Sequence, residues 1–232
     1  MELTAEEIVL KYKDGRNDLT ILNELNVTFK PGAVNVLIGP SGSGKSSLLY
    51  LLSGLRKATS GVIKFNDILI SDTTGTEKIR YENFGFIFQH SFLIPYLNVT
   101  ENICMARKDM DLKSKAEELL KKLKIQDLAK KKIYQLSGGE KQRVAIARAL
   151  VKEPSVIFAD EPTASLDKEN AKNVFNILRK NSKDKIVIIA THDTSLINEN
   201  DHVFVIDDGK IMEQNPDNDT KEPLQSRKKH KK

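Results

Sequence analysis

One eight-residue stretch carries the glycines, lysine and serine that a polyphosphate site requires. Its residues are Gly39, Pro40, Ser41, Gly42, Ser43, Gly44, Lys45 and Ser46, and Ser47 comes next in the chain. They match the pattern G-x-x-x-x-G-K-[ST], in which glycines let successive backbone N–H groups point at one anion. Lys45 is expected to reach the β- and γ-phosphates, and the Ser46 hydroxyl to hold Mg²⁺. A flexible surface turn is the alternative, but the position between an apolar strand and a helix favours a nucleotide site.

Two carboxylates follow an apolar run later in the chain. The run Val156–Ala159 is typical of a buried strand, and Asp160 and Glu161 come directly after it. Because strand side chains alternate in direction, the two carboxylates are expected to point apart and take different roles. Asp160 suits the shell of Mg²⁺, whereas Glu161 can orient and polarise an attacking water. Strands often end in solvated acids, so the pattern indicates nucleotide hydrolysis only in combination with the phosphate loop.

A second glycine-containing segment, LSGGEKQRVAIARAL at 136–150, runs directly into a helix. Ser137 and Glu140 have the spacing of a capping box, which accounts for the start of that helix. The box leaves Gly138 and Gly139 unexplained, because glycine is a poorer helix former than alanine by about 1 kcal/mol. Glycines at a helix N-terminus allow an anion to approach the backbone closely. The phosphates enclosed by residues 41–46 are already bound, so a different anion is expected here.

The elements around these segments follow an α/β pattern. Residues 8–30 alternate between apolar and polar around a turn at 14–15, which predicts antiparallel strands. Further strands are predicted at Val34–Ile38, Phe84–Gln89 and Ile186–Thr191, whereas residues 98–153 have a helical pattern. The sequence therefore predicts a parallel α/β core that carries an antiparallel β layer and is interrupted by helices.

The composition is that of a globular chain, with 39% hydrophobic and 30% charged residues. No apolar run reaches the 18 or more residues of a membrane span, and the N-terminus lacks the features of a signal peptide. Cys104 is the single cysteine, which excludes an internal disulfide and fits a reducing compartment.

The net charge of +5 does not indicate nucleic-acid binding. Residues 221–232 hold six Lys/Arg and one acid, which leaves 31 basic and 31 acidic residues in the rest of the chain. No nucleic-acid partner is therefore expected. The basic tail is expected to be disordered, with attraction to an anionic membrane surface as the alternative.

The order of five elements carries a family resemblance: the phosphate loop, Gln89, LSGGE, DEPTASLD at 160–167, and His192. Over about residues 5–213 the chain resembles the ATP-binding-cassette (ABC) ATPases, the nucleotide-binding subunits of ABC transporters. The LSGGE element distinguishes them from other phosphate-loop families. The resemblance implies a P-loop NTPase (RecA-like) core with an antiparallel β subdomain and an inserted α-helical subdomain. The ATPase domain would span 1–220, with the helical insertion at about 90–153.

The resemblance also implies the chemistry, which is hydrolysis of ATP to ADP and phosphate with ATP and Mg²⁺ bound. Gln89 matches the loop glutamine that senses Mg²⁺ and the γ-phosphate, and His192 matches the switch histidine. Together with Glu161 they form the expected catalytic group. Ser46, Gln89 and Asp160 form the expected metal group.

A second copy of the chain is the partner implied for the LSGGE segment. In the family, Ser137, Gly138 and Gly139 face the nucleotide held by the other subunit, and Asp167 matches an aspartate that links the two sites. Two chains would pack head to tail around two ATP molecules, and hydrolysis would loosen the dimer. Tyr12 falls where the family places an aromatic ring on the adenine, although an aromatic residue on an edge strand is also common for structural reasons.

A membrane permease is the other implied partner, with the ATPase peripheral on the cytoplasmic face of the membrane. The loop Gln89–Tyr96 is unusually apolar and is expected to dock the permease; burial against the helical insertion is the competing explanation. Residues 80–102 look most like the lipoprotein-releasing and macrolide-exporter group, although Ala164-Ser165 stand where that group commonly has Gly-Asn. Antimicrobial-peptide export systems are close relatives.

Three other functional classes are less consistent with the sequence. An ABC ATPase acting on DNA or ribosomes usually has a coiled-coil insertion or two cassettes, neither of which is present. A GTPase or small-molecule kinase is disfavoured, because the lysine of Asn181-Ser182-Lys183-Asp184 is misplaced for reading guanine. A signalling or scaffold cassette would use the same ATP site, so the sequence does not separate it from a transporter.

Overall fold

A computed structural model describes residues 1–14, 17–70, 74–107 and 111–214, so the basic tail lies outside the described residues. Ten strands are found in these ranges: β1 Leu3–Asp14, β2 Asn17–Phe29, β3 Val34–Ile38, β4 Ser60–Phe65, β5 Ile68–Leu69, β6 Phe84–Ile87, β7 Val156–Asp160, β8 Ile186–Ala190, β9 His202–Asp207 and β10 Lys210–Gln214. The α-helices of the same ranges are α1 Lys45–Leu52, α2 Thr74–Asn83, α3 Val99–Cys104, α4 Lys113–Lys122, α5 Gly138–Leu150 and α6 Lys168–Ser182. Short 3₁₀ turns occur at Gln126–Leu128, Ile133–Gln135 and Thr194–Leu196.

The strands form two sheets. The antiparallel sheet has the order β2-β1-β4-β5, and the larger sheet has the order β10-β9-β3-β8-β7-β6. In the larger sheet all neighbours are parallel except β10, which pairs antiparallel with β9. The carboxyl ends of β3, β8, β7 and β6 therefore meet at one edge, where open α/β sheets bind their ligands. β6 is the outermost of these four strands and pairs only with β7.

The larger sheet lies between two hydrophobic cores. Val156 and Phe158 of β7 pack with α1 and the antiparallel sheet, whereas Ile157 and Ala159 pack with α3 to α6. β3, β7 and β8 are buried along their whole length, which explains their continuous apolar sequences. The observed layers match the predicted parallel α/β core with an antiparallel β layer and a run of helices between β6 and β7.

Several element boundaries differ from the sequence prediction, among them the first strand, which begins at Leu3, and the strand predicted at Ile186–Thr191, which ends at Ala190. The strand predicted at Phe84–Gln89 ends at Ile87, and the carbonyl oxygen of Phe88 instead accepts a hydrogen bond from Gln142 Nε2 at 3.1 Å. The strand predicted at Val156–Ala159 continues to Asp160, which pairs with Ala190. Within the described ranges, no helix combines the length and apolar character needed to cross a membrane.

Candidate functional site

The predicted phosphate loop connects β3 to α1, and its glycines adopt backbone conformations that other residues rarely take. Gly39, Gly42 and Gly44 have φ values of 151°, 83° and 100°. A Cβ at Gly39 would lie 2.2 Å from the Ile206 carbonyl oxygen, and one at Gly44 would lie 2.8 Å from Leu22 Cδ2. Gly44 caps α1 without a side-chain hydrogen bond, so the first N–H groups of the helix remain available to an anion.

Two side chains of this loop are arranged for a polyanion. Lys45 Nζ donates to the carbonyl oxygens of Gly39 and Pro40 at 2.9 and 3.0 Å, which aims the ammonium group into the loop. Burial lowers the pKa of Lys45, while the nearby Glu161 and Asp160 act in the opposite direction. Ser43 Oγ is buried and has no hydrogen-bond partner in the described part of the chain. A ligand with several acceptor oxygens would satisfy both groups.

Ser46 and Asp160 converge on one point. Ser46 Oγ donates to Asp160 Oδ1 at 2.8 Å, and the Tyr50 hydroxyl lies 3.5 Å from Asp160 Oδ2. Burial raises the pKa of the Asp160 carboxyl group, and the hydrogen bond from Ser46 partly offsets this effect. A hydroxyl and a carboxylate at the mouth of a phosphate loop form the oxygen ligand set that Mg²⁺ prefers. The residues present therefore fit this ion.

Glu161 has other partners than Asp160, and its backbone leaves the strand conformation. β7 ends at Asp160, and Glu161 has a left-handed φ of 46°, so its backbone turns away from the strand direction. Its N–H donates to the Ala190 carbonyl oxygen at 2.9 Å, and its Oε2 accepts from Thr191 Oγ1 at 3.2 Å. His192 Nδ1 lies 2.9 Å from Glu161 Oε1. β7 and β8 thus bring together the predicted base and the predicted switch histidine.

The capping box predicted at the start of α5 is present. Glu140 N donates to Ser137 Oγ at 3.3 Å, and Ser137 N donates to Glu140 Oε2 at 2.7 Å. The two glycines behind the cap have different surroundings. A Cβ at Gly138 would have no atom within 4 Å, whereas a Cβ at Gly139 would lie 2.9 Å from the Ser165 carbonyl oxygen. Packing within the chain therefore accounts for Gly139, and only Gly138 is left without an explanation inside the chain.

Asp167 lies at the N-terminus of α6. Its Oδ1 accepts from Asn170 N at 2.9 Å, and its Oδ2 accepts from Asn170 Nδ2 at 2.6 Å. The backbone hydrogen bond is the main cause that lowers the pKa of Asp167. Arg143 Nη1 donates to Asn170 Oδ1 at 2.6 Å, so α5 is connected to the cap of α6.

Gln89 and Tyr12 are both exposed. Gln89 is exposed two residues after the end of β6. Tyr12 is about one-third exposed, and the Arg56 guanidinium lies 4.9 Å from its ring centroid. Tyr12 pairs with Leu19 in the β1–β2 hairpin, whose Leu22 approaches Gly44. The hairpin thus contacts the phosphate loop close to Tyr12.

Comparison with known proteins decides the family. A protein-family model described as "ABC transporter" matches residues 22–164, more than half of the chain. The chain belongs to the ABC transporter family. It is the ATP-binding subunit of such a transporter and an ATPase. The ABC fold class predicted from the sequence is confirmed.

Several relatives and solved structures support this assignment. A Staphylococcus aureus (strain Newman) protein described as "putative hemin import ATP-binding protein HrtA" is 39% identical over 92% of this chain and 100% of its own length. The dimeric cassette MJ0796, described as a bacterial ABC transporter cassette, superposes with a TM-score of 0.86 at 32% identity, over 92% of this chain and 98% of its own. The cbiO1 protein of Clostridium perfringens, described as part of the transporter complex cbiONQ, gives 0.76 at 30% identity, over 92% and 88%.

Two residues of this ABC ATPase site are absent from the sequence prediction. Tyr50 lies four residues after Ser46, so the helical period of α1 places both on the face towards Asp160. Thr191 donates to Glu161 from the neighbouring strand end. Helical spacing could have indicated Tyr50, but Thr191 is 30 residues from Glu161, and no local pattern connects the two.

Proposed function

We propose that this ATPase drives a membrane permease by ATP-dependent head-to-tail dimerisation. Each ATP would lie between the phosphate loop of one chain and the Ser137–Gly139 segment of the other. The observation that carries the proposal is the open space at Gly138, on a capped helix N-terminus where the chain's own packing does not require a glycine. The dimeric state of the MJ0796 cassette supports the same assembly for this chain.

The hydrolytic step follows from the arrangement at the strand ends. The phosphate loop holds and orients the β- and γ-phosphates. The residues that do so are Gly39, Pro40, Ser41, Gly42, Ser43, Gly44, Lys45, Ser46 and Ser47. Ser46, Asp160 and Gln89 would hold Mg²⁺, which would supply charge neutralisation at the phosphate oxygens. Glu161 accepts a proton from the attacking water, because its carboxylate is fixed by Thr191 and next to His192. His192, 71% exposed against 14% for Glu161, is placed to reach a γ-phosphate from the solvent side.

Dimerisation links the chemistry to movement. The γ-phosphate would accept hydrogen bonds from Ser137 and the glycine backbone of the partner chain, so ATP stabilises the closed state more than ADP does. Asp167 would carry the state of one site to the other through Asn170 and Arg143. Tyr12 would stack on the adenine. Once hydrolysis separates the γ-phosphate, the closed dimer loses the contacts that distinguish it from the open state.

The permease is proposed to dock on the loop Gln89–Tyr96. Phe92 and Tyr96 are 64% and 75% exposed, and Tyr134 nearby along the helical layer is 76% exposed. Leu93, by contrast, packs against the helical core. The loop is thus anchored by one apolar side chain and presents others to the outside, which favours docking over burial of the whole loop.

The chain is proposed to act peripherally on the cytoplasmic face of the membrane. Its ATPase domain is assigned to 1–220, with the helical insertion at about 90–153 and the basic tail at 221–232. The permease, rather than this chain, would select the cargo. The sequence of residues 80–102 favours a permease of the lipoprotein-releasing and macrolide-exporter kind.

The Glu161→Gln variant tests the dimer. It should lower the rate of ATP hydrolysis about 100-fold or more, because the general base is removed while the shape is kept. With ATP and Mg²⁺ it should elute as a dimer in size-exclusion chromatography, and with ADP as a monomer. Glu153→Gln is the matched control, since Glu153 also has a left-handed φ of 53° and instead pairs with Lys115. A Glu161→Gln chain that binds ATP and stays monomeric would contradict the sandwich.

Cross-linking tests the docking loop. In a Cys104→Ser background, Tyr96→Cys should form an adduct with the permease in the assembled complex. Met212→Cys is the control, because Met212 is 59% exposed on β10, away from the helical layer. An active complex in which the cysteine at position 96 reacts no more than the one at position 212 would rule out docking at this loop.

A further inference from the structure

The backbone on both sides of Gln89 is held by side chains of a single helix. On the N-terminal side, Gln142 Nε2 donates to the Phe88 carbonyl oxygen at 3.1 Å. On the C-terminal side, Arg148 Nη2 donates to the Ser91 carbonyl oxygen and Nη1 to the Phe92 carbonyl oxygen, both at 2.8 Å. Both donors belong to α5, the helix that begins at the signature residues. We call the three hydrogen bonds the α5 clamp.

The clamp is partly buried and geometrically specific. Gln142 is only 3% exposed, although it is a polar side chain on a helix. Burial lowers the pKa of the Arg148 guanidinium, which nevertheless stays charged, and its planar fork spans two successive carbonyl groups. Charge-assisted hydrogen bonds of this kind are stronger than neutral ones. A lysine at 148 would retain the charge, but its single ammonium group lacks the fork that matches the pair.

The loop beside the clamp is in an unfavourable conformation. Phe92 has a left-handed φ of 41°, which costs a non-glycine residue about 1–2 kcal/mol. Such conformations persist where surrounding contacts determine them. Arg148 supplies such a contact at the Phe92 carbonyl itself. Close packing adds to it, because a Cβ at Gly85 in β6 would lie 2.6 Å from the Ala149 carbonyl oxygen of α5.

We infer that Gln142 and Arg148 are positioning residues that fix the Gln89 loop to α5, so that Gln89 and the signature Ser137 move as one unit. This inference rests on the role of Gln89 under the proposed function. A displacement of the docking loop at Phe92 would then be transmitted to the helix whose N-terminus faces the partner's ATP. Neither residue touches the nucleotide in this scheme, and both act through the loop backbone.

Hydrogen–deuterium exchange of the loop tests the clamp directly. In the full chain, Arg148→Lys should raise exchange at residues 89–96 several-fold and leave residues 39–46 unchanged. Lys152→Gln, just beyond the C-terminal end of α5, is the matched control, because Lys152 donates instead to the carbonyl oxygens of Arg80 and Tyr81. Unchanged exchange at 89–96 in Arg148→Lys would overturn the inference. If that variant does not fold, Gln142→Met provides the same test from the other side of Gln89.

A double-mutant cycle in ATP hydrolysis tests whether the clamp acts through Gln89. Arg148→Lys should lower kcat about tenfold, with the affinity for ATP at the phosphate loop unchanged. In a Gln89→Ala background it should lower kcat no further. If the two substitutions lower kcat by factors that multiply in the double variant, Arg148 does not act through Gln89. If Gln89→Ala alone has full kcat, the assigned role of Gln89 is wrong, whereas unchanged loop exchange would show that the clamp itself is wrong.

Discussion

The phosphate loop and the signature segment are two glycine-containing helix starts that are built differently. In the phosphate loop the glycines have positive φ, and Gly39 and Gly44 are enclosed by the chain's own atoms. At the signature, Gly138 and Gly139 are the first residues of α5, behind a conventional side-chain cap at Ser137. One site depends on backbone conformation, and the other on empty space beside a regular helix.

This difference distinguishes glycines that the fold requires from a glycine that only assembly would require. A side chain at Gly39 would collide inside the chain, so the fold itself requires that glycine. A Cβ at Gly138 would meet nothing among the described residues, so no contact in that part of the chain requires this glycine. Gly139 is intermediate, because Ser165 lies close enough to exclude a Cβ. The two neighbouring glycines of the signature therefore occur for different physical reasons.

Gly39→Ala is expected to have the largest effect. The added Cβ would lie 2.2 Å from the Ile206 carbonyl oxygen, so the loop must shift, and ATP affinity should fall about 100-fold. Isothermal titration calorimetry of the isolated chain measures this. Gly138→Ala is the control and should bind ATP as the unmodified chain does. Equal losses of ATP affinity in the two variants would contradict the distinction between the phosphate loop and the signature.

Ser137→Asp should weaken assembly without loss of stability. Aspartate caps helices about as well as serine, so the melting temperature should be maintained. A carboxylate facing the partner's γ-phosphate is repelled, so ATP-dependent dimerisation of Glu161→Gln should weaken about tenfold or more. Ser137→Asn provides a neutral cap of the same length as the control. Undiminished dimerisation of the aspartate variant in sedimentation experiments would place the anion elsewhere.

The two signature glycines should respond oppositely to alanine. Gly138→Ala should raise the free energy of unfolding by about 0.5–1 kcal/mol, because alanine is the better helix former and has free space. Gly139→Ala should lower it by about 1 kcal/mol or more, because its Cβ would contact the Ser165 carbonyl oxygen. Urea unfolding of the two variants measures both changes. The same sign for both would contradict the assigned surroundings.

Glu140→Gln should give the smallest effect, and one that depends on pH. The backbone N–H of Ser137 lowers the pKa of Glu140, so its carboxylate stabilises the folded state above its ordinary pKa of 4.5. That contribution is lost as the pH falls through the lowered pKa. The variant should be less stable by about 0.3 kcal/mol at pH 7 and equal to the parent once the pH is below the lowered pKa. A difference that stays constant as the pH falls from 7 through the acid range would show that the carboxylate charge is not the cause.

Local sequence patterns predicted the parts of the site that depend on local chemistry. The phosphate loop, the capping box and the Asp160 carboxylate are readable because glycine spacing, i to i+3 capping and an apolar strand each span only a few residues. The family, the fold class and the ATPase activity are confirmed. The roles of single residues in binding and catalysis stay predictions.

Contacts between distant residues were beyond local patterns. Arg148 and Ser91 are 57 residues apart, and the contact that excludes a Cβ at Gly139 comes from Ser165 in another element. The different roles of Asp160 and Glu161 stay a prediction, and the left-handed φ of Glu161 could not be predicted because it is a property of the folded backbone at the end of β7. Such features emerge only when the parallel strands bring their ends together.

The outer position of β6 distinguishes it from the other strands that carry site residues. The phosphate loop follows β3, the two carboxylates lie at the end of β7, and the histidine follows β8. Each of these three strands is paired on both sides, whereas Gln89 follows β6, which has one neighbour among the described strands. A segment after a singly paired strand can shift with less loss of ladder hydrogen bonds. The sheet thus sets the doubly paired strands of the chemical centre apart from a margin that can move, and a mechanical signal that enters at this margin can alter hydrolysis through Gln89 while β3, β7 and β8 stay in place.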